Sequence, residues 1–393
     1  MDRDKVTLNA LLARVLKRAC KSYKTTELLH KKLSGLYGSY ISSAVSKKGD
    51  VQTLTVRAEF ADQKYIGDSV KIMQEIFGIM KEIIFTQASF SEEYVEQEKQ
   101  NLKMFINSLV NDKREYAQLK CIESMCSDEP FGISEYGYLE DIDSISAEKL
   151  FEHYKRCFLE YSLDVFVTGS LDAESLAPYI ADLTSGVNRA ESGKKCYHHT
   201  LKSTAEPVNI VEYSTVNQSK ICIGFRTGIS ADDERYSSLI IANAVFGGGP
   251  YSKLFNNVRE KLSLAYYAGS YIDKFKSIIF VNCGVQHDMF KLAFDEIMNQ
   301  LNLVKSGNFT DDEIHAAKLG VTERIKSLSD SQSLIQEYYF GQLLCGGGES
   351  IEDLCAKLMD VKKDDIIHAA ETIVMDTCFL LTDKDAKTQV GNK

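Results

Sequence analysis

Arg259 and Tyr266 are the sharpest candidates for chemistry in this 393-residue chain. They stand seven apart behind a glycine turn. The run is Gly247-Gly248-Gly249-Pro250-Tyr251-Ser252-Lys253-Leu254-Phe255, then Val258-Arg259-Glu260-Lys261-Leu262, then Leu264-Ala265-Tyr266. Arginine stays charged at any working pH and offers a planar fork of N–H donors, and tyrosine adds a neutral O–H donor. On composition alone a blander reading competes. Arg259 is then a surface cation beside Glu260, and Tyr266 is one of twenty tyrosines in a strand. Tyr267 would point to the other side of that strand.

Other chemistries lack their residues. The seven histidines are His30, His153, His198, His199, His287, His315 and His368, and no H-x-x-E-H or H-E-x-x-H pattern includes any of them. His198-His199 falls in a polar stretch, where adjacent residues rarely converge on one ion. Glu152-His153 falls on a helix, where sequence neighbours point apart. The ten cysteines are scattered without a C-x-x-C pair, so they are expected to be reduced and mostly buried. Gly247-Gly248-Gly249 has no Lys-Ser/Thr in P-loop register, and Gly346-Gly347-Gly348 is likewise a loop. No G-x-S-x-G elbow offers a serine nucleophile.

Two similar halves must position these residues. Only four prolines interrupt the chain, so long helices are possible. In the first half, residues 6–20 form an apolar helix, and Thr25-Thr26 opens a second that ends near Gly38. Strands follow at 39–46 and 51–61. The latter alternates at Leu54, Val56, Ala58 and Phe60. Val70, Met73, Phe77, Met80 and Ile84 form one helical stripe, and Val95, Leu102, Phe105 and Leu109 another. A helix at 147–157 leads to a strand at 163–168, turned by Gly169.

The second half repeats this order. It adds strands at 209–213 and 220–226, then helices at 233–246 and 252–261, then strands at 265–272 and 277–285. Stripes follow at Phe290, Ala293, Ile297, Leu301, Val304 and at Ile314, Ala317, Val321, Ile325, Leu328. The second of these sits behind a capping box of Thr310 and Glu313. A helix at 364–374 and a strand at 377–382 close the chain. The expected division is a first half at 1–187, a linker at 188–204 and a second half at 205–393. The first half lacks the pair of leading strands that opens the second. Either they lie upstream or the first sheet is short, and an exposed edge is expected at 39–46 or 51–61.

Composition narrows the function. Hydrophobic residues at 44% and charged residues at 26% suit a soluble globular protein of two domains. A net charge of −10 argues against nucleic acid and anionic membrane as partners. No run of 18 apolar residues exists to span a bilayer. Met1-Asp2-Arg3-Asp4-Lys5 leads into no apolar signal core, and a cytoplasmic location is expected.

The run from Gly247 to Tyr266, set in a tandem α+β repeat, resembles the pitrilysin/insulinase peptidases, which include the mitochondrial processing peptidases. By element order the resemblance covers essentially the whole chain. It implies a fold of two tandem homologous α/β-sandwich halves closing as a clamshell, with the first half lacking its leading strands. Active members bind zinc through His-x-x-Glu-His on the first helix, where two histidines four apart hold the ion and the glutamate acts as base. Here Asn9 takes the place of the first histidine, Leu12 of the glutamate and Ala13 of the second histidine. If Glu98 opens the matching segment, the third ligand falls at Phe105. None of Leu12, Ala13 and Phe105 offers a lone pair, and Asn9 alone cannot hold zinc. Without zinc, Glu98 is expected to be a solvated helix residue.

The resemblance therefore implies a non-catalytic subunit with no cofactor of its own. Zinc and its base come from a zinc-bearing paralogous subunit. Arg259 and Tyr266 hold the substrate backbone and the oxyanion of the tetrahedral intermediate. The substrate is an extended peptide that adds as a strand to a sheet edge. The competing expectation is a purely structural or peptide-binding scaffold, which has no reason to keep Arg259 with Tyr266.

Overall fold

The computed structural model describes residues 1–66, 71–185 and 206–384. Val70 and the linker expected at 188–204 lie outside them. By their contacts, Met1–Ser108 and Ile133–Cys196 form one unit, and Leu109–Gly132 and Tyr197–Lys393 form the other. Residues 109–132 thus come from the first half of the sequence but pack with the second unit.

The first unit opens with α1 (Arg3–Leu16), started by Asp2, whose side chain accepts the Asp4 N–H. Thr25 caps α2 (Thr26–Gly35) by accepting the Leu28 N–H. Then β1 (Tyr40–Lys48) and β2 (Val51–Glu59) pair antiparallel, from Tyr40 opposite Glu59 to Lys48 opposite Val51. Gly49, at φ 56, turns the chain between them. The helices α3 (Gln63–Ile66), α4 (Ile72–Phe85) and α5 (Glu92–Ser108) follow. The chain leaves for the second unit through α6 (Lys113–Met125), then returns with α7 (Leu139–Ile142), α8 (Ala147–Glu160) and α9 (Ala173–Thr184). The core gathers Leu11, Leu12 and Leu16 of α1 with Ile72, Ile76 and Ile83 of α4 and Leu150 of α8, against one face of β2.

The strand expected at 163–168 does not form. Val165, Phe166 and Val167 remain 39%, 36% and 40% exposed. A strand needs neighbours to accept and donate its backbone hydrogen bonds. Among the described residues the first unit's sheet holds β1 and β2 alone.

The second unit has that missing context. Its sheet runs β3-β7-β4-β6-β5. The strands are β3 (Val208–Tyr213), β4 (Ser219–Arg226), β5 (Ala265–Asp273), β6 (Ile278–Val285) and β7 (Val374–Thr382). Here β3 lies parallel to β7, and the other pairs are antiparallel. The central strands are buried on both faces, which is why β4 and β6 are nearly continuous apolar runs in the sequence. Alternation still sorts them. Ile221, Ile223, Phe225, Ile279, Val281, Cys378 and Leu380 join one cluster, with α10 (Tyr236–Phe246), α11 (Phe290–Lys305), α12 (Asp311–Lys326), α14 (Ile351–Asp360) and α15 (Lys363–Glu371). Cys222, Phe280, Phe379 and Leu381 join the other, with Ala117, Cys121, Ile122 and Met125 of α6. The remaining helix, α13 (Gln332–Leu344), exposes Leu334, Tyr339 and Leu343. The Thr310–Glu313 capping box forms at the start of α12 as its sequence pattern indicates.

A buried ion network fastens the crossover segment to this sheet. The Arg226 side chain donates from Nε to Asp376 at 2.7 Å, and from Nη2 to Glu129 at 2.6 Å and to the Met125 carbonyl at 3.0 Å. Lys276 Nζ lies 2.9 Å from the other Glu129 oxygen. Burial works against the Glu129 carboxylate, but Arg226 and Lys276 outweigh it and hold it below the usual carboxylate range.

Candidate functional site

In the first unit the positions matching the zinc motif face different surroundings. Leu12 and Ala13 are 0% and 2% exposed and belong to the apolar interior. Phe105 packs edge-on against Tyr136 at 4.9 Å, with the Arg14 guanidinium 5.0 Å from its ring centre. Asn9 turns elsewhere. Its Nδ2 donates to Gln52 Oε1 at 2.8 Å, and its Oδ1 lies 2.6 Å from His153 Nε2 and 3.6 Å from Cys157 Sγ. No hydrogen bond or ring contact among the described residues joins Asn9 to Phe105.

Sequence reasoning missed the His153–Cys157 partnership. The two are four apart on α8, so they share a face, and Sγ lies 3.2 Å from Nε2. That spacing was the available signal. Burial, then the charges of Lys5 and Arg156, push His153 down to about 4, so its imidazole is neutral near pH 7. Glu98, expected in solvent, is instead buried and pairs with Arg18 at 3.4 Å. Its carboxylate faces inward because Val95 and Leu102, one helical turn to either side, bury that face of α5. Among the described residues, no group of three or more His, Cys, Asp or Glu side chains converges as a metal requires. His198 and His199 lie outside the described residues.

In the second unit, Arg259 and Tyr266 both stand on interrupted backbone. The expected helix at 252–261 is a π-helix, Leu254–Lys261, in which the Leu262 N–H reaches back five residues to the Asn257 carbonyl at 3.1 Å. Such wide turns are rare and concentrate at functional sites. Ser263, at φ 49, ends it in the left-handed region. Arg259 projects into solvent from this turn. Its guanidinium lies 4.7 Å from the Phe255 ring centre, and its Nε lies 3.6 Å from Glu260. The Glu260 pair is exposed and worth little, whereas the Phe255 ring limits how the fork can lie.

Tyr266 occupies a break in the ladder of β5. Ala265 pairs with Val285 and Tyr267 with Gly284, so Tyr266 is the extra residue of a bulge. Bulges re-aim side chains, and Tyr266 is 59% exposed. Tyr267 takes the other direction. Its ring lies against Gly284, where it leaves no room for a Cβ, with the cations of Arg114 and Lys220 4.9 and 5.4 Å from its centre. The glycine turn is packed as well as bent: the Gly247 carbonyl accepts the Ser270 N–H at 2.8 Å, and a Cβ at Gly247 would sit 2.5 Å from Ser270 Oγ. No hydrogen bond or ring contact among the described residues joins Arg259 to Tyr266. Arg259 and Tyr266 thus leave a charged fork and a phenol exposed on neighbouring stretches of chain.

Known proteins match this chain along its length. A family model described as the peptidase M16 inactive domain matches residues 144–321. The probable inactive metalloprotease YmfF of Bacillus subtilis strain 168 is 34% identical over 385 residues, covering 97% of this chain and 90% of that protein. An uncharacterized zinc protease of Rickettsia bellii is 22% identical, covering 74% of this chain and 70% of that one. The crystal structure of a conserved protein from Enterococcus faecalis V583 superposes with a TM-score of 0.89 at 27% identity, covering 100% of this chain and 92% of that one. The peptidase M16 inactive domain of Pseudomonas fluorescens, with a TM-score of 0.77 at 13% identity over 97% of this chain and 90% of that one, shares the fold. The α+β fold implied by the glycine-to-tyrosine run is thus the fold observed, and the chain belongs to the M16 peptidases, the pitrilysin/insulinase type, as a member without the His-x-x-Glu-His motif.

Proposed function

We propose that this chain is the non-catalytic subunit of a two-chain zinc metallopeptidase. A paralogous partner brings zinc, its histidines and the general base. This chain brings Arg259 and Tyr266, which grip an extended peptide and stabilise developing negative charge on its scissile carbonyl oxygen. The observation that carries the reading is the placement of both side chains, exposed, on a π-helix and a bulge. Irregular backbone costs stability and is kept where it aims a side chain. The likeness to a protein named as a probable inactive metalloprotease supports the non-catalytic half of the reading. Leu12, Ala13 and Phe105 in place of ligands support it independently. The free thiols of the described cysteines suit a reducing compartment such as the cytoplasm.

The test is steady-state peptide cleavage by the reconstituted pair, with a pull-down to confirm assembly. Arg259→Ala should leave the pair assembled and slow cleavage by roughly 100- to 1000-fold, the usual cost of losing one oxyanion donor. The loss falls on kcat if the contact strengthens in the transition state, and on KM if Arg259 only grips substrate. Tyr266→Phe should cost less, because only one neutral donor is lost. Wild-type rates from both variants would replace this reading with a scaffold role.

A further inference from the structure

In the second unit a cavity of about 500 Å3 lies between the π-helix and the helices α11 and α12. From the π-helix and the residue before it, Lys253, Asn256, Asn257, Glu260 and Lys261 face this space. Arg259 and Phe255, which stack on each other, do not line it. The other wall is Gln300 and Leu303 of α11, Asn308 in the turn that follows, and Glu313 of α12. Leu303 alone among these is apolar, so a greasy ligand would remove little surface from water there. Affinity in such a cavity has to come from hydrogen bonds and charge.

Most of the wall is already engaged. Asn257 Nδ2 donates to Gln300 Oε1 at 2.8 Å, and Gln300 Nε2 donates in turn to Glu296. Glu313 accepts from the Thr310 N–H through one oxygen and from Lys253 Nζ through the other. Burial works against the Glu313 carboxylate, but Thr310 and Lys253 outweigh it and hold it below the usual carboxylate range.

The two ammonium groups are less well served. An ammonium can donate three hydrogen bonds. Lys253 is 7% exposed, yet among the described residues its one acceptor is Glu313, at 3.1 Å. Lys261 Nζ donates to Asn257 Oδ1 at 3.0 Å and meets no carboxylate among the described residues. The remaining acid of the wall, Glu260, lies 3.6 Å from Arg259. Both lysines therefore keep idle donors, and the charge of Lys261 has no acid to match it. Idle donors on a buried cation cost stability unless an acceptor meets them.

We propose that this cavity binds a small polar carboxylate, of the class of free amino acids and hydroxy acids. The carboxylate takes the idle donors of Lys253 and Lys261. Charge-assisted hydrogen bonds are roughly twice as strong as neutral ones, so this contact sets the affinity. The ligand's hydroxyl or ammonium group meets Asn256 Oδ1, whose own amide donates to the Tyr251 carbonyl, and Asn308, whose side chain makes no hydrogen bond among the described residues. The site does not rest on Arg259, Tyr266 or a zinc-bearing partner.

The test is titration calorimetry on the full chain with L-glutamine, L-lactate, L-glutaminamide, glycerol and inorganic phosphate. L-Glutamine or L-lactate should saturate one site per chain below about 10 mM, and hydrogen exchange should slow in residues 253–262 and 300–313. Glutaminamide and glycerol lack the carboxylate and should not bind. Lys261 is exposed, so Lys261→Met should keep the wild-type melting temperature while weakening binding by about ten-fold or more. Lys291→Met, on an exposed lysine outside the cavity, should bind as the wild type does. Absence of binding by both carboxylates up to that concentration overturns the proposal. So does equal binding of glutaminamide or glycerol, protection confined to other segments, or wild-type affinity in Lys261→Met. Phosphate bound more tightly than either carboxylate would overturn the ligand class.

Discussion

The hairpin β1–β2 and the hairpin β5–β6 occupy equivalent places in the two halves, yet their side chains live in different solvents. In β6, Phe280 and Val281 lie on opposite faces of the sheet and both are fully buried, one toward α6 and one toward the helices of the main core. In β2, Leu54, Val56 and Ala58 reach the core on one side, and even these are only half-buried. The difference comes from neighbours rather than from the hairpins. The second sheet has β4 beside β6, β7 beyond it and α6 packed on one face, whereas among the described residues the first has β1 alone beside β2. An apolar residue stabilises a fold in proportion to the surface it removes from water, so one pattern is worth less in the first unit than in the second.

Three experiments can break or sharpen that comparison. The largest contrast is between core truncations. Phe280→Ala should destabilise the second unit by about 3–5 kcal/mol, the range for emptying a buried aromatic site. Val56→Ala should cost the first unit on the order of 1 kcal/mol, since much of its side chain already meets water. Hydrogen exchange resolved by unit reads both, and equal costs would mean that β2 is as enclosed as β6.

The second experiment removes one member of the ion network beneath the second sheet. Glu129→Ala leaves Arg226 and Lys276 buried without their shared carboxylate, which costs roughly 3 kcal/mol or somewhat more. Exchange should accelerate first in α6, and unchanged protection there would show that apolar packing alone holds the crossover helix. Burial pulls the Arg226 guanidinium down, but Glu129 and Asp376 outweigh it and keep it charged throughout.

The smallest effect concerns the first unit and pH. His153 titrates near 4 in the fold, below its ordinary value of 6.5, so between those values the unfolded chain binds more protons. His153 therefore contributes stability that is present above pH 6.5 and is lost as the pH falls toward 4. The loss has a slope of up to about 1.4 kcal/mol per pH unit. Thermal melts between pH 7 and pH 4.5 should show it, and His153→Gln should flatten the dependence attributable to this group. A variant with the wild-type slope would place the sensitivity elsewhere.

Much of the fold was legible because its signals are local. Helices α4, α5, α11 and α12 announce themselves by apolar residues every three or four positions, and β2 by alternation. Helix α6 was missed. Its thirteen residues bury only Ala117, Cys121, Ile122 and Met125, a stripe too narrow to stand out among charged neighbours. The segments 332–344 and 351–360 were passed over as well, and α13 leaves several of its apolar residues in water. Residues 163–168 have the composition of a strand, but composition cannot supply the strand next to them.

The candidate site divides in the same way. Arg259 and Tyr266 were found from the run that surrounds them, whereas the π-helix and the bulge that aim them were not, because both are shifts of hydrogen-bond register rather than of residue type. Helical spacing could have paired His153 with Cys157, but not with Asn9, which lies 144 positions from His153 in the chain.

By itself, the sequence determined the tandem order of elements, the periods that make each one amphipathic, the absence of zinc ligands at Leu12, Ala13 and Phe105, and the presence of the Arg259–Tyr266 run. These depend on residue types and near spacing, which are properties of the chain. Only the tertiary structure decided that residues 109–132 serve the second unit, that Glu98 is buried beside Arg18, and that 163–168 does not form a strand. A helix satisfies its own backbone within four residues, but a strand, a buried charge and a crossover helix are each completed by partners from elsewhere in the chain.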